Sequence, residues 1–196
     1  KISKEVNESN EPVLLTVGTD LMEEIAYLIY LTHNKRNKVV ITGAMKSRHL
    51  SGFDGVSNLT DSIKVLNSSN LDKNVYAVMG SKIIHASSLI KVDSQSITGF
   101  EATTAIAGMI RGGDAIIFNK PIDKDHGIYQ KIVHISDKVI PVISLSSGED
   151  FGFLRVDKLD GLVLAGPGGT IYSEKIWDFV KKNKNLPSVL VNRCLR

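Results

Sequence analysis

The chain has 196 residues, 42% of them hydrophobic, enough for one domain of ordinary size or one domain and part of another around a sizeable core. Lys and Arg number 24 against 21 Asp and Glu, and apart from KKNK at 181–184 the basic residues are scattered, so the charge pattern gives no nucleic-acid footprint. The single cysteine, Cys194, excludes an internal disulfide framework and Cys-rich metal sites, the five histidines lack metal-ligand spacing, and no apolar run approaches the roughly 18 residues of a membrane helix; no metal, cofactor or membrane is expected.

In chain order, Val13–Thr16, Val39–Thr42 and Val75–Met79 are β-rich runs flanked by polar or glycine signals, as buried parallel strands would be. Between the first two, Leu21, Ile25, Leu28 and Ile29 recur at helical spacing, with Asp20 placed to cap that helix through its carboxylate. Leu59, Ile63 and Leu66 repeat the pattern before the third run, and Asp54-Gly55 with Asn58 reads as a turn leading into that helix. The βαβαβ order predicts a parallel sheet with right-handed crossovers. Gly80-Ser81 then links two apolar runs as in a tight hairpin, after which the chain enters a polar loop holding Lys91.

Ala115–Phe118 and Ile132–Ile135 form a second hairpin-like pair, separated by a polar stretch with Pro121 and Gly127. Beyond Asp137 the β/α rhythm resumes with Val139–Leu145, Gly161–Ala165, a helix from near Ser173, and Val189–Asn192. The expected organisation is α/β throughout: a larger domain over 1–136, with a linker at about 119–136, and a smaller C-terminal domain over 137–196. The chain opens at Lys1 without methionine and stops at Arg196 directly after a strand-like run, so both natural ends are expected to lie outside it.

Ligands of open parallel sheets bind outside the carboxyl ends of the strands. Gly18-Thr19-Asp20 follows the first run and Gly43-Ala44-Met45 the second, where a glycine lets a ligand approach the backbone. Gly-Thr-Asp at such a junction is equally explained by a helix cap. Lys91, between Ile90 and Val92, stands where a partly desolvated amine can take a proton from a hydroxyl; an ordinary exposed loop lysine is the alternative. Gly166-Pro167-Gly168-Gly169-Thr170 lacks the spacing and the lysine of a phosphate loop and reads as a strand-to-helix turn.

These segments together carry a resemblance. GTDLMEEIAYL resembles the HGTDTMEETAYFL segment of bacterial-type L-asparaginases, VVITGAMKS their VVxxGAMRP, and FDGVSNLTDSI their ADGPxNLxxAV. VYAVMGSKIIHASSLIKVDS is similar in layout to the strand, hairpin and DVTKT loop that holds that family's catalytic lysine. LDGLVLAGPGGTIY resembles the DGIVxAGxGxGN turn of the family's smaller domain, and VLVNRCLR its VVxSSRxxxG strand. The matches run in family order over roughly residues 13–196.

The resemblance implies a mainly parallel sheet domain of asparaginase type plus a smaller C-terminal α/β domain, with Thr19 as the second active-site threonine, Asp20 as its neighbouring carboxylate and Lys91 as the catalytic lysine. Gly18, Asp20 and Ala44 would contact the substrate. The implied activity is hydrolysis of L-asparagine, with glutamine as a secondary substrate, to the acid and ammonia without cofactor or metal, in a cytoplasmic homodimer or homotetramer. The family's first nucleophile lies in a TGGTI motif that these 196 residues do not contain, and Val17, Leu21, Ile25, Ile90 and Ser88 depart from the family's residues. Two other readings remain open: a non-catalytic amino-acid-binding relative, and the asparaginase-like subunit of an archaeal glutamyl-tRNA amidotransferase. The sequence does not separate asparagine from glutamine, a difference of about one methylene, on the order of 1–3 kcal/mol.

Overall fold

Three strands, β1 (Val13–Thr16), β2 (Val39–Thr42) and β3 (Val75–Met79), pair in parallel, with Val13 opposite Val39 and Val39 opposite Val75. A computed structural model describes residues 1–120, 127, 137–146, 150–168 and 172–194. The central strands are continuously apolar because both faces are covered. Val39, Ile41, Val75, Ala77 and Met79 pack with Met22, Ala26, Ile29 and Tyr30 of helix α2 (Met22–Thr32), which follows α1 (Ile2–Glu8) and β1. Val40, Tyr76 and Val78 point the other way and pack with Val65 of α3 (Gly55–Asn67).

The sheet continues in antiparallel fashion. Gly80 and Ser81, both at positive φ, turn β3 back into β4 (Lys82–His85). Past a 3-10 turn at Ala86–Ser88, β5 (Leu89–Lys91) and β6 (Phe100–Ala102) form a separate two-stranded ribbon. Then β7 (Gly108–Arg111) pairs with β4 and, across Gly112-Gly113, with β8 (Asp114–Ile117). The six-stranded order is β1-β2-β3-β4-β7-β8. The Lys82 ammonium donates to the Phe100 carbonyl at 3.0 Å and ties the ribbon to β4.

Contacts divide the chain into residues 1–132 and 133–196. Within the second unit, β9 (Val142–Ser144), β10 (Leu162–Gly166) and β11 (Ser188–Asn192) make a parallel sheet in the order β11-β10-β9. Helix α4 (Glu174–Lys182) packs on it through Ile176, with Leu145, Leu162 and Leu164 beneath.

Several expectations are corrected. Lys91 ends a strand rather than occupying a loop, because β5 finds a partner in β6, a segment without an obvious apolar signal. Ala115–Phe118 pairs with β7 through the Gly-Gly turn; Ile132–Ile135 and most of the 119–136 linker lie outside the described residues. The run expected at Val139–Leu145 shortens to β9, leaving Val139 and Ile140 half exposed. In α3 the helix stands but its buried face differs: Asn58, Asp61, Ser62 and Val65 face inward while Val56, Leu59 and Ile63 are exposed.

Candidate active site

The carboxyl ends of β1 and β2 lie side by side, and Gly43 fixes how closely. A Cβ there would stand 2.5 Å from the Val17 carbonyl oxygen and 2.8 Å from Met22 Cε, so any side chain would push the two strand ends apart. The Thr19 methyl lies 3.5 Å from the same point, which places the Gly18-Thr19-Asp20 turn against the start of the Gly43-Ala44-Met45 loop. A Cβ on Gly18 would meet nothing within 4 Å, so its backbone faces open space. Val17, Thr42, Gly43, Ala44, Phe53 and Leu59 line a cleft of about 560 Å³ beside this junction.

The β5–β6 ribbon brings Lys91 to the same turn from 72 residues downstream. Its Nζ donates to Asp20 Oδ1 at 2.8 Å and to Thr19 Oγ1 at 3.2 Å. The lysine side chain is only 17% exposed and the Asp20 side chain 94%, so a sheltered amine meets a solvated carboxylate. The hydrogen bond from Lys91, and then its charge, hold the Asp20 carboxyl below the usual carboxylate range. The expected cap is therefore absent. The N-cap of α2 is Leu21, without a side-chain bond, because Asp20 turns to the lysine.

Three further residues hold these loops. Glu23, in the first turn of α2, accepts the Lys91 main-chain N–H at 2.5 Å. The Asp54 carboxylate accepts the Met45 and Lys46 N–H groups, both at 3.0 Å, and the Asn58 amide at 2.8 Å. Burial pushes the Asp54 carboxyl up, but the N–H donors of Lys46, Met45 and Asp54 itself, with Asn58, outweigh it and hold the group below the usual range. Asn58 also donates to the Gly43 carbonyl at 3.0 Å and accepts the Gly80 N–H at 3.1 Å, so one buried amide joins the ends of β2 and β3. The sequence reading took Asp54 and Asn58 for a turn and passed over Glu23; a carboxylate in a helix's first turn, beside a candidate catalytic turn, is the signal that would have found it.

Chemically, the group offers a hydroxyl, an amine and a carboxylate within hydrogen-bond reach on strand ends, which suits proton transfer to and from a bound amide. Among the described residues no His, Cys, Asp and Glu cluster could hold a metal ion, and no helix is long and apolar enough to cross a membrane. In the second unit, the Arg193 guanidinium donates to the Leu145 carbonyl at 3.2 Å, whereas Gly169 and Thr170 of the glycine turn lie outside the described residues.

Residues 1–123 match the sequence profile of the family described as "Asparaginase, N-terminal". "L-asparaginase 2" of Bacillus subtilis (strain 168) is 29% identical over 133 residues, covering 64% of this chain and 35% of that protein. "L-asparaginase" of Bacillus licheniformis is 24% identical over 163 residues, or 79% and 48% of the two chains. "Glutaminase-asparaginase" of Pseudomonas aeruginosa is 26% identical over 113 residues, or 57% and 31%. Among solved structures, the "Probable Cytoplasmic L-asparaginase from Campylobacter jejuni" superposes with a TM-score of 0.86 at 26% identity, covering 98% of this chain and 66% of that one. The chain thus spans half or less of these sequence relatives and about two thirds of the solved one.

Proposed function

Because the chain belongs to the asparaginase family, matched by the family's N-terminal domain over residues 1–123, we propose that the protein it represents hydrolyses L-asparagine to L-aspartate and ammonia. The observation that carries this reading is the meeting of Lys91 Nζ with Thr19 Oγ1 and Asp20 at 3.2 and 2.8 Å. The nucleophile is a threonine of the TGGTI type, which these 196 residues do not contain. Its hydroxyl attacks the side-chain amide carbonyl, and a tetrahedral oxyanion forms that backbone donors near Gly18 and Ala44 stabilise. The C–N bond then breaks, ammonia leaves with the proton it gains, and water hydrolyses the acyl-enzyme to the acid.

Thr19, Lys91 and Asp20 move the protons. The Lys91 amine and the Thr19 hydroxyl, 3.2 Å apart, form the path along which a proton passes, and the Asp20 carboxylate at 2.8 Å stabilises the ammonium. Asp20, almost wholly exposed, also has lone pairs to spare for the substrate's α-amino group. Glutamine is a secondary substrate in this reading, and the protein is cytoplasmic and a homodimer or homotetramer, as the resemblance implies; the structural relative's name supports the location.

Two measurements of ammonia release test the assignment. The 196-residue chain alone should give no more than a Lys91→Met control, since without the attacking hydroxyl no acyl-enzyme forms. In a form of the protein that carries a TGGTI-type segment, Thr19→Val, Asp20→Ala and Lys91→Met should each lower kcat by on the order of 10²-fold or more, with non-additive combinations. Near-wild-type turnover in Lys91→Met would end the catalytic reading. Aspartate binding that survives in such a protein, with no turnover in the parent, would favour a non-catalytic amino-acid-binding relative.

A further inference from the structure

Lys91 is held at two points, and only one of them involves its side chain. In the β5–β6 ribbon, Thr103 donates its N–H to the Ser88 carbonyl and Val92 its N–H to the Gly99 carbonyl, at 2.8 Å each. Antiparallel ladders bond alternate residues, so 88, 90 and 92 face β6 and the Lys91 N–H points to the ribbon's outer edge. That edge has no strand beside it among the described residues, since sheet order places β5 next to β6 alone. The outward N–H is met instead by the Glu23 carboxylate at 2.5 Å.

Glu23 stands three residues after Asp20, in the first turn of α2, where the helix's exposed N–H groups favour a carboxylate. The neighbouring Met22 is fully buried in the core, so this turn is anchored. A two-stranded ribbon is marginally stable by itself. Its catalytic-lysine end is thus fastened to the one segment, residues 19–23, that also carries the lysine's side-chain partners.

We infer that Glu23 is a positioning residue for Lys91: its carboxylate, by accepting the Lys91 main-chain N–H, fixes the strand that aims the amine at Thr19 and Asp20. The inference rests on the reading of Lys91 as the proton carrier, and it deepens that reading without adding a step to the reaction. A hydrogen bond from an amide to a charged acceptor is stronger than one to a neutral acceptor.

The test uses the 196-residue chain, isotopically labelled, with Glu23→Ala and Glu23→Gln. In Glu23→Ala the Lys91 amide should exchange with solvent at least about tenfold faster, while Val40 and Ala77 exchange as in the parent. The Asp20 carboxyl, which Lys91 holds low, should titrate closer to the ordinary 3.8 in the same variant, because the amine no longer sits against it. Glu23→Gln keeps an acceptor oxygen and should restore the protection, with the Lys91 amide proton moved upfield for want of the charge. An unchanged Lys91 exchange rate in Glu23→Ala, or equal acceleration at Val40 and Ala77, overturns the inference. Should Glu23→Ala fail to fold, Glu23→Gln decides alone, and an unmoved Lys91 amide resonance overturns it. None of these readouts needs turnover, so absent ammonia release by a form that carries the TGGTI-type segment, with the Glu23–Lys91 coupling intact in the 196-residue chain, counts against the proposed reaction only.

Discussion

Asp20 stands where it could serve as a helix cap or as a charge partner, and its carboxylate accepts from the Lys91 amine while α2 has no side-chain cap bond. The lysine 71 positions away wins, and a contact across that separation is invisible to any local pattern. Removing it has a direct readout. In Lys91→Met the Asp20 carboxyl should rise from its lowered position toward 3.8, since both causes of the lowering, hydrogen bond and charge, go with the amine; carboxyl carbon resonances followed against pH would check it. Asp54 gives a pH dependence of stability. Its folded-state value lies below the ordinary one, so its contribution is complete above 3.8 and is lost as pH falls through the lower folded value. Asp54→Ala should therefore cost about 1–3 kcal/mol at neutral pH, and the gap in urea midpoint between variant and parent should close in acid. Thr19, Asp20 and Lys91 were legible as candidates because each ends or flanks an apolar run and because the segments resemble a family in order. Glu23 was not, because its partner is a main-chain N–H whose direction depends on a strand pairing the sequence does not announce.

Among the elements, the three parallel strands are legible to the residue from their β-rich runs, β2 and β3 because both their faces are buried and β1, only partly buried at the sheet edge, because its run is bounded by polar and glycine signals. Helix α3 shows where periodicity stops being a guide. Its apolar residues Val56, Leu59 and Ile63 give the right period and the wrong face, because beside Val65 the inward residues are polar and each is satisfied: Asn58 by Gly43, Asp54 and Gly80, Ser62 by the Asn58 carbonyl at 2.7 Å, and Asp61 by the Ser81 hydroxyl at 3.0 Å. A buried polar group with its partners in place carries no desolvation penalty large enough to turn the helix over. The other end of α3 is closed by Lys38, a buried residue whose ammonium donates to the carbonyls of Leu66 at 3.1 Å, Val65 at 3.3 Å and Ser68. Lys38→Met keeps the apolar stem and removes the three donors. It should lower stability by about 1–3 kcal/mol in urea denaturation, with α3 fraying from Asn67 in exchange measurements.

Across the whole molecule, the exposed side chains of Val56, Leu59 and Ile63 run along α3 near an edge strand, β1, that has no second partner among the described residues. An apolar row beside an open edge invites association. The 196-residue chain should therefore show concentration-dependent light scattering that Ile63→Lys reduces without lowering its urea midpoint, since residue 63 is 47% exposed. The β3–β4 turn has a consequence of another kind. Parallel strands can meet only after the long segment between them has closed into a loop, whereas β3 and β4 are joined through Gly80 and Ser81 alone. That hairpin can form in roughly 1–10 μs, well ahead of the parallel pairs. The turn then acts as a clock for the sheet: Gly80→Ala, forced into a left-handed conformation 2.9 Å from the Ile97 carbonyl, should slow refolding in stopped-flow experiments more than it speeds unfolding, which would make β3–β4 the template on which β2 and then β1 are laid down.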